Sequence, residues 1–281
     1  MTPAEYCQNK AAPAGSALHY STLFLPPLQR QGIFALHALR LELAESVGKR
    51  FEPAVPQARI DWWQEELSRL AAGSPQHPVS HALTDAFAAK TIPQEQLDKL
   101  IAAARMDLDY DAYPGFTELS LYAHRSSATL YMLVADILGA TRSETLDFAV
   151  DLGLAMQFFD LLLVKVREHA RNGRIYIPMD ELHRFGVAPE KLRGDSTNTA
   201  IRELFAFQAK RVKSYYRRAL QRLPAEERST LCSQIALAEI RLRQLDEIER
   251  DGFRLLEHSI RLTPLRKLWI SWRTQWRESG K

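Results

Sequence analysis

The chain has 281 residues, of which 46% are apolar, and its 37 Lys and Arg residues nearly balance 34 Asp and Glu residues. This composition excludes disordered and fibrous proteins and is typical of a globular protein with a sizeable core. Glycine is scarce, at 12 residues, which argues against turn-rich sheet proteins and against nucleotide folds built on glycine-rich loops. The two cysteines, Cys7 and Cys232, lie far apart in sequence and form neither a disulfide framework nor a zinc-ligand pattern, so a reducing compartment fits.

Charge is distributed unevenly along the chain. Residues 201–281 carry 18 basic and 10 acidic side chains, a net charge of +8, whereas residues 1–200 carry 19 and 24, a net charge of −5. A basic C-terminal third favours an anionic partner, although a solvated helix face gives the same count. The first 15 residues lack the apolar core of a signal peptide, and no stretch is long and apolar enough to span a bilayer. We therefore expect a cytoplasmic protein, with a peripheral position at the inner membrane as the alternative.

Apolar residues in the first half of the chain recur at the helical period. Ile33, Leu36 and Leu39 are spaced by three residues, which predicts a helix from 28 to about 49. Most of the following helices begin near a proline, whose missing N–H costs no hydrogen bond in the first turn. These helices are predicted at 59–71, 78–89 and 93–110.

The second half of the chain continues the same pattern. Helices are predicted at 117–138, 143–171, 200–221 and 226–240, in a stretch to about 260, and from 264 onward. The long helix at 143–171 is apolar all round at 161–164, which predicts a central position in the core. No repeat and no Gly/Ser linker separates domains. We therefore predict one large all-α domain over 16–281, preceded by an N-terminal extension at 1–15.

Several stretches resemble the squalene/phytoene synthase family in their order and spacing. They are 16–27, 30–39, DWWQEEL at 61–67, 131–135, LGLAMQ at 152–157 and NGRIYIP at 172–178. The resemblance implies a single helical domain of the isoprenoid synthase type around a central apolar cavity. By the same resemblance, the implied cavity-lining residues are Tyr20, Leu39, Tyr131, Val134, Gln157 and Phe158.

The chemistry of that family depends on two Asp-rich motifs. Their carboxylates hold Mg²⁺ ions, which neutralise the diphosphate that leaves during ionisation of the substrate. The resemblance places the first motif at Ala44 and Gly48 and the second at Val164 and Glu168. Three of the four principal carboxylates are therefore missing, which indicates a retained fold with a relaxed ion-binding function.

Four other acids are candidates for a residual metal or diphosphate site. Glu42 and Glu45 lie three residues apart and share a helix face, while Asp160 and Glu168 lie on the long helix. The alternative interpretation is that Glu42 and Glu45 are solvated or paired with Lys49 and Arg50, and that Asp160 bonds a neighbouring helix. No catalytic residue and no metal is assigned from the sequence; no cofactor is expected, and Mg²⁺ is implied only if the chain is an enzyme.

A narrower resemblance concerns the stretch 34–44, which lacks the Asp-rich motif, and the ending at 264–273. Both resemble the branch of the superfamily that contains the mitochondrial complex I assembly factor. The first hypothesis is therefore a non-catalytic protein that binds an isoprenoid or assists assembly of a respiratory complex. The alternative is an Mg²⁺-dependent prenyl transferase that makes squalene- or phytoene-type products from prenyl diphosphates with a non-standard carboxylate set.

The predicted partners follow from these hypotheses and from the basic C-terminal helices. An isoprenoid lipid or a prenyl diphosphate is the implied ligand, and a membrane surface or a respiratory-complex subunit is the implied docking partner. Trp269, Trp272 and Trp276 share one helical stripe beside basic residues, which fits an interfacial amphipathic helix, and core packing is equally compatible. Nucleic acid is not expected, because no recognised binding motif surrounds the basic residues.

Overall fold

A computed structural model describes residues 1–47, 54–87 and 93–279. Within these ranges the chain forms fourteen α-helices, and its only β-structure is one isolated parallel bridge between Ala112 and Ile175. The helices are α1 Pro3–Ala11, α2 Ala17–Ser21, α3 Pro27–Val47, α4 Ala54–Ala71, α5 Pro78–Ala86, α6 Gln94–Asp109, α7 Phe116–Ala123, α8 Thr129–Leu138, α9 Ser143–Phe159, α10 Val166–Arg171, α11 Met179–Arg184, α12 Thr199–Arg222, α13 Cys232–Arg250 and α14 Pro264–Glu278. The all-α prediction is confirmed. Across the described ranges, no helix is both long enough and apolar enough to cross a membrane.

Two of the predicted helices are interrupted by π-helical turns. The first turn, His124–Ala128, joins α7 to α8, and the second, Asp160–Val164, joins α9 to α10. Such turns widen the helix by one residue and are frequent at functional sites. The sequence predicted both stretches as continuous helices, because one extra residue in a single turn is too small a change to be recognised from the apolar spacing.

The predicted helix at 226–240 begins later and ends later, as α13. Residues Ala225–Glu227 form a 3₁₀ turn instead. The buried carboxylate of Glu227 accepts hydrogen bonds from the backbone N–H and the hydroxyl of Thr141, both at 2.9 Å, at the start of α9. At the C-terminal end of α13, Gly252 and Phe253 adopt positive φ angles of 73° and 59°. These angles end the helix at Arg250, so the helical stretch predicted to about 260 does not form.

Helix α9 lies at the centre of the bundle, where it packs against α12 and α8. Gly153 sits where α9 crosses the first π-helical turn. A Cβ atom at this position would lie 2.6 Å from both the Ala128 Cα and the Ser127 backbone oxygen. The glycine therefore permits an approach between the two backbones that a side chain would prevent.

The loop that follows α10 carries the NGRIYIP stretch, and a buried ionic network fixes it. The Tyr176 hydroxyl donates to both carboxylate oxygens of Asp107, at 3.0 and 2.9 Å, and a guanidinium nitrogen of Arg174 lies 3.3 Å from one of them. Burial raises the pKa of Asp107, while the Arg174 charge and the Tyr176 hydrogen bond oppose this shift. Arg174 and Tyr176 thus hold the loop onto α6.

The segment assigned as an N-terminal extension contains α1, which packs against α3 and α5. A capping box between Thr2 and Glu5 starts this helix, and Cys7 on its inner face is fully buried. Helix α1 also places Tyr6 and Lys10 beside the acidic side of α3.

Candidate functional site

A cavity of about 580 Å³ lies between α3, α8, the second π-helical turn, α13 and α14. The floor is formed by buried residues, among them His37, Tyr131, Met156 and Leu237. The exposed members of the lining mark the end that opens to solvent, and they include Pro13, Ala14, His258, Ser259 and Arg261. This volume lies within the usual range for small-molecule pockets.

The floor of the cavity contains an imidazole with an unused nitrogen. His37 is 8% exposed, its ring packs edge-on against Tyr131 with 5.7 Å between centroids, and its Nε2 atom has no hydrogen-bond partner among the described residues. Burial, together with the charges of Arg40 and Arg241, lowers the pKa of His37 to about 3. The imidazole is therefore neutral at physiological pH and has one nitrogen available to a ligand.

Basic side chains outnumber acidic ones on the cavity wall. The basic members are Arg40, Lys165, Arg241, Arg261 and Lys267, and the acidic members are Asp160 and Glu168. Burial lowers the pKa of Lys267, and the nearby charges of Arg241 and Arg261 lower it further. A cavity with this balance favours an anionic group on its ligand.

Two guanidinium groups on different helices line the cavity. Arg40 on α3 donates to the side-chain oxygen of Gln157 at 3.3 Å, and its buried Nε atom has no partner within the described ranges. Arg241 on α13 donates from one terminal nitrogen to the side-chain oxygen of Gln244 at 3.1 Å, and its other terminal nitrogen lies 3.8 Å from Asp160, which is a long separation for an ion pair. Both guanidinium groups therefore retain hydrogen-bonding capacity for a ligand oxygen.

The structure places the four candidate carboxylates in two separate pockets. Asp160 and Glu168 line the cavity. Glu42 and Glu45 instead line a second pocket of about 270 Å³ with Trp62, Trp63 and His77. In the part of the chain that the structure describes, no three His, Cys, Asp or Glu residues lie close enough together to hold a metal ion.

The N-terminal helix supplies the partners of the first pair. Lys10 lies 2.7 Å from Glu42 and 2.8 Å from Glu45, and the Tyr6 hydroxyl also donates to Glu42. The Glu42 contact raises the pKa of Tyr6, after the larger effect of burial, to about 12. The sequence named Lys49 and Arg50 as cationic partners, and these two residues lie outside the described ranges.

Helix geometry explains the division. His37 and Arg40 face the cavity, and Ala44, one turn further along, faces a narrow adjoining cleft lined by Arg40 and Gln157. Glu42 is two residues from Arg40, so its side chain points about 200° away around the helix. The motif position at Ala44 thus points toward the cavity side without a carboxylate, while Gly48 lies outside the described residues.

Of the six residues predicted to line the cavity, two lie on its lining and four lie elsewhere. Tyr131 and Gln157 line it. Leu39, Val134 and Phe158 are fully buried between helices instead, and Tyr20 packs beside His19 near the surface. Phe158 follows Gln157 directly, so its ring points about 100° away from the cavity and packs against Tyr215 and Phe116.

His37, Arg40, Arg241 and Lys267 were not predicted from the sequence as cavity residues. The first two share a helical stripe on α3, so the spacing of His37 and Arg40 could have marked them as a pair. Arg241 and Lys267 belong to distant segments, and only the packing of α13 and α14 around the cavity brings them to the same wall.

Solved structures with this arrangement of helices are similar over nearly the whole chain. A dehydrosqualene synthase crystallised with a ligand superposes with a TM-score of 0.84 at 20% identity, covering 99% of this chain and 97% of its own. A squalene synthase from Alicyclobacillus acidocaldarius superposes with a TM-score of 0.74 at 22% identity, covering 89% and 94%. The fold is therefore the isoprenoid synthase fold, as the sequence predicted.

Sequence comparison then identifies the family. The squalene/phytoene synthase model matches residues 11–269, so the chain belongs to the squalene/phytoene synthase family. The phytoene synthase of Mycobacterium tuberculosis is 30% identical over 264 residues, which cover 92% of this chain and 85% of that protein. The phytoene synthase of Arthrospira platensis is 28% identical over 262 residues, which cover 89% and 84%.

Proposed function

We propose that this member of the family binds an isoprenoid-type ligand with an anionic headgroup and does not convert it. The observation that carries this proposal is the separation of the candidate carboxylates: Glu42 and Glu45 pair with Lys10 outside the cavity, and Asp160 and Glu168 remain inside it. Ionisation of a prenyl diphosphate by Mg²⁺ needs several carboxylates converging on the metal ions.

The lining of the cavity supports a ligand with one apolar and one anionic end. The buried floor, with Tyr131, Met156 and Leu237, suits a hydrocarbon chain, since burial of apolar surface is the main source of affinity there. Arg40 and Arg241 lie beside this floor and supply charge-assisted hydrogen bonds to an anion. Basic side chains would thereby replace the charge that Mg²⁺ supplies in an active synthase.

Assistance in assembling a respiratory complex is the cellular role that we propose with this binding activity. Its support is the resemblance of 34–44 and 264–273 to the branch that contains the mitochondrial complex I assembly factor. A binding protein without turnover suits an accessory role at a membrane enzyme, because the ligand stays bound and intact.

The second candidate is an Mg²⁺-dependent prenyl transferase, and the names of the relatives favour it, since several are phytoene synthases. Asp160 and Glu168 would be its cavity carboxylates. They fit Mg²⁺ poorly, because Arg241 and Lys165 on the same wall oppose binding of a cation.

Release of inorganic diphosphate distinguishes the two candidates. Purified protein is incubated with farnesyl or geranylgeranyl diphosphate, with Mg²⁺ in one arm and EDTA in the other. We expect no release above the EDTA arm. Mg²⁺-dependent release of diphosphate would overturn the binding proposal. If Asp160→Asn abolishes the release and Glu45→Ala retains it, the metal site lies in the cavity. If Glu45→Ala abolishes the release, the metal site lies in the second pocket.

A further inference from the structure

Helix α14 turns its apolar side outward. Leu265 is 79% exposed, and Trp269, Trp272 and Trp276 are 54%, 54% and 60% exposed. The buried residues of the helix are Ile270, Ser271 and Thr274, of which two are small and polar. A surface helix of a globular protein normally shows the opposite arrangement, with its largest apolar residues against the core.

The exposed apolar residues form one continuous stripe. At about 100° per residue, Leu265, Leu268, Trp269, Trp272 and Trp276 fall within an arc of about 100° on the helix surface. The stripe runs from Leu265 to Trp276 on α14, so at 1.5 Å per residue it extends for about 17 Å. A stripe of this size is larger than the scattered exposed apolar residues of most soluble surfaces.

Arginines border this stripe along one side. At the same angular spacing, Arg266, Arg273 and Arg277 lie at about 80° to 120° from Leu265. The Arg273 guanidinium stacks over the Trp269 ring at 5.3 Å from its centroid, while Arg266 lies 2.7 Å from Glu247. Arg277 is paired as well, at 2.7 Å from Glu278 and 3.4 Å from Glu239. Among the described residues, Arg273 is therefore the border arginine without a carboxylate partner, and it lies in a segment, 201–281, of net charge +8.

The stripe also adjoins the mouth of the cavity. Residues 258–262 line the cavity and lead directly into α14, and Lys267 on α14 belongs to the cavity wall, where its ammonium group donates to the backbone oxygen of Gly15 at 2.7 Å. The outer side of the same helix carries the tryptophans.

We propose that α14 docks this protein on an anionic membrane surface. The tryptophans lie at the level of the lipid headgroups, where an amphipathic ring is most favourable, and Arg273 beside Trp269 contacts a lipid phosphate. The charge of the border selects an anionic bilayer over a neutral one. Docking in this orientation places the exposed rim of the cavity next to the lipid. The inference rests on α14 alone and holds whatever the cavity binds.

Vesicle binding tests the proposal with the full chain. Co-sedimentation is measured with phosphatidylcholine vesicles and with vesicles that contain phosphatidylglycerol, for the wild type and for the double variant Trp272→Gln, Trp276→Gln. The matched control is Trp62→Gln, because Trp62 is an exposed tryptophan on α4, 39% exposed and away from the stripe. We expect the double variant to bind anionic vesicles about tenfold more weakly or worse, because it loses apolar area at the interface, and the control to bind as the wild type does.

Two further readouts keep the outcome decisive. Brominated lipids quench the fluorescence of tryptophans that enter the bilayer, and we expect quenching in the wild type that falls in the double variant. Thermal unfolding by circular dichroism verifies that the variant is folded. Equal binding by the folded double variant and the wild type, or no binding of the wild type to anionic vesicles, would overturn the proposal, and in the second case the stripe would be a protein-docking surface instead.

Discussion

At the scale of single residues, Arg40 and Glu42 illustrate how a helix separates charges that are close in sequence. Arg40 faces the cavity and Glu42 faces α1, where Lys10 and Tyr6 hold it. The acids of α3 therefore stabilise the contact with the N-terminal helix. Inside the cavity, guanidinium and ammonium groups outnumber the carboxylates of Asp160 and Glu168.

Arg241 gives a direct test of the cationic wall. We expect Arg241→Gln to weaken binding of a prenyl diphosphate by about 10- to 100-fold, which corresponds to the loss of one charge-assisted hydrogen bond. Isothermal titration calorimetry measures the change. The control is Arg243→Gln, since Arg243 lies two residues away, pairs with Asp246 at 3.4 Å and is absent from the cavity lining. Equal affinities of the two variants would contradict the assignment of Arg241.

Glu66 provides a residue-scale prediction about stability and pH. Its fully buried carboxylate accepts hydrogen bonds from the backbone N–H groups of Gln76 and His77 at 2.8 and 2.7 Å, and from Arg69 at 2.9 Å. Burial raises its pKa, but these hydrogen bonds outweigh burial and lower it below the ordinary value of 4.5. The carboxylate thus stabilises the fold above pH 4.5, and this contribution is lost as the pH falls through the lowered pKa.

We therefore expect Glu66→Gln to reduce the free energy of unfolding at pH 7 by about 2 kcal/mol, since one charged acceptor is lost. The variant loses less stability than the wild type as the pH falls below 4.5. Urea unfolding at a series of pH values measures both effects. Glu65→Gln is the control, because Glu65 is exposed and lies 3.6 Å from Arg69; a similar loss in that variant would refute the role of the buried group.

At the scale of the elements, the crossing of α9 and the first π-helical turn depends on Gly153. A methyl group there would meet backbone atoms at 2.6 Å, and backbone cannot move aside cheaply. We expect Gly153→Ala to reduce the free energy of unfolding by about 1–3 kcal/mol. The midpoint of thermal unfolding falls accordingly. Gly194→Ala is the control, because its nearest contact is 3.3 Å away and its φ angle of −73° is ordinary. An unchanged midpoint in Gly153→Ala would contradict the account of this crossing.

Most of the elements follow from the spacing of apolar residues. The apolar pattern predicted the bounds of α3, α6 and α12 to within two residues. Burial of one helix face sets the apolar period, and the prolines that precede α3 and α6 set where these two helices begin. The π-helical turns could not be predicted. In the Asp160–Val164 turn, residues 161–164 are all apolar, so the phase shift caused by the extra residue leaves no mark on the apolar pattern.

At the scale of the whole molecule, the cavity joins residues from segments that are far apart in the chain. Arg40 lies on α3, Arg241 on α13 and Lys267 on α14, so no local pattern in the sequence connects them. The family resemblance predicted a central cavity with six lining residues, of which the structure places Tyr131 and Gln157 on the lining of this cavity. The resemblance could not indicate which basic residues line the cavity, because that depends on which face each helix turns inward.

The measurement that tests the central claim most directly is the affinity for farnesyl diphosphate in EDTA and in Mg²⁺, determined by isothermal titration calorimetry on the same protein. Arg40 and Arg241 supply the headgroup contacts in our account, so we predict the same dissociation constant within about twofold in both buffers. The free ligand remains intact at the end of each titration. Binding that occurs only with Mg²⁺, or diphosphate released during the Mg²⁺ titration, would contradict the account.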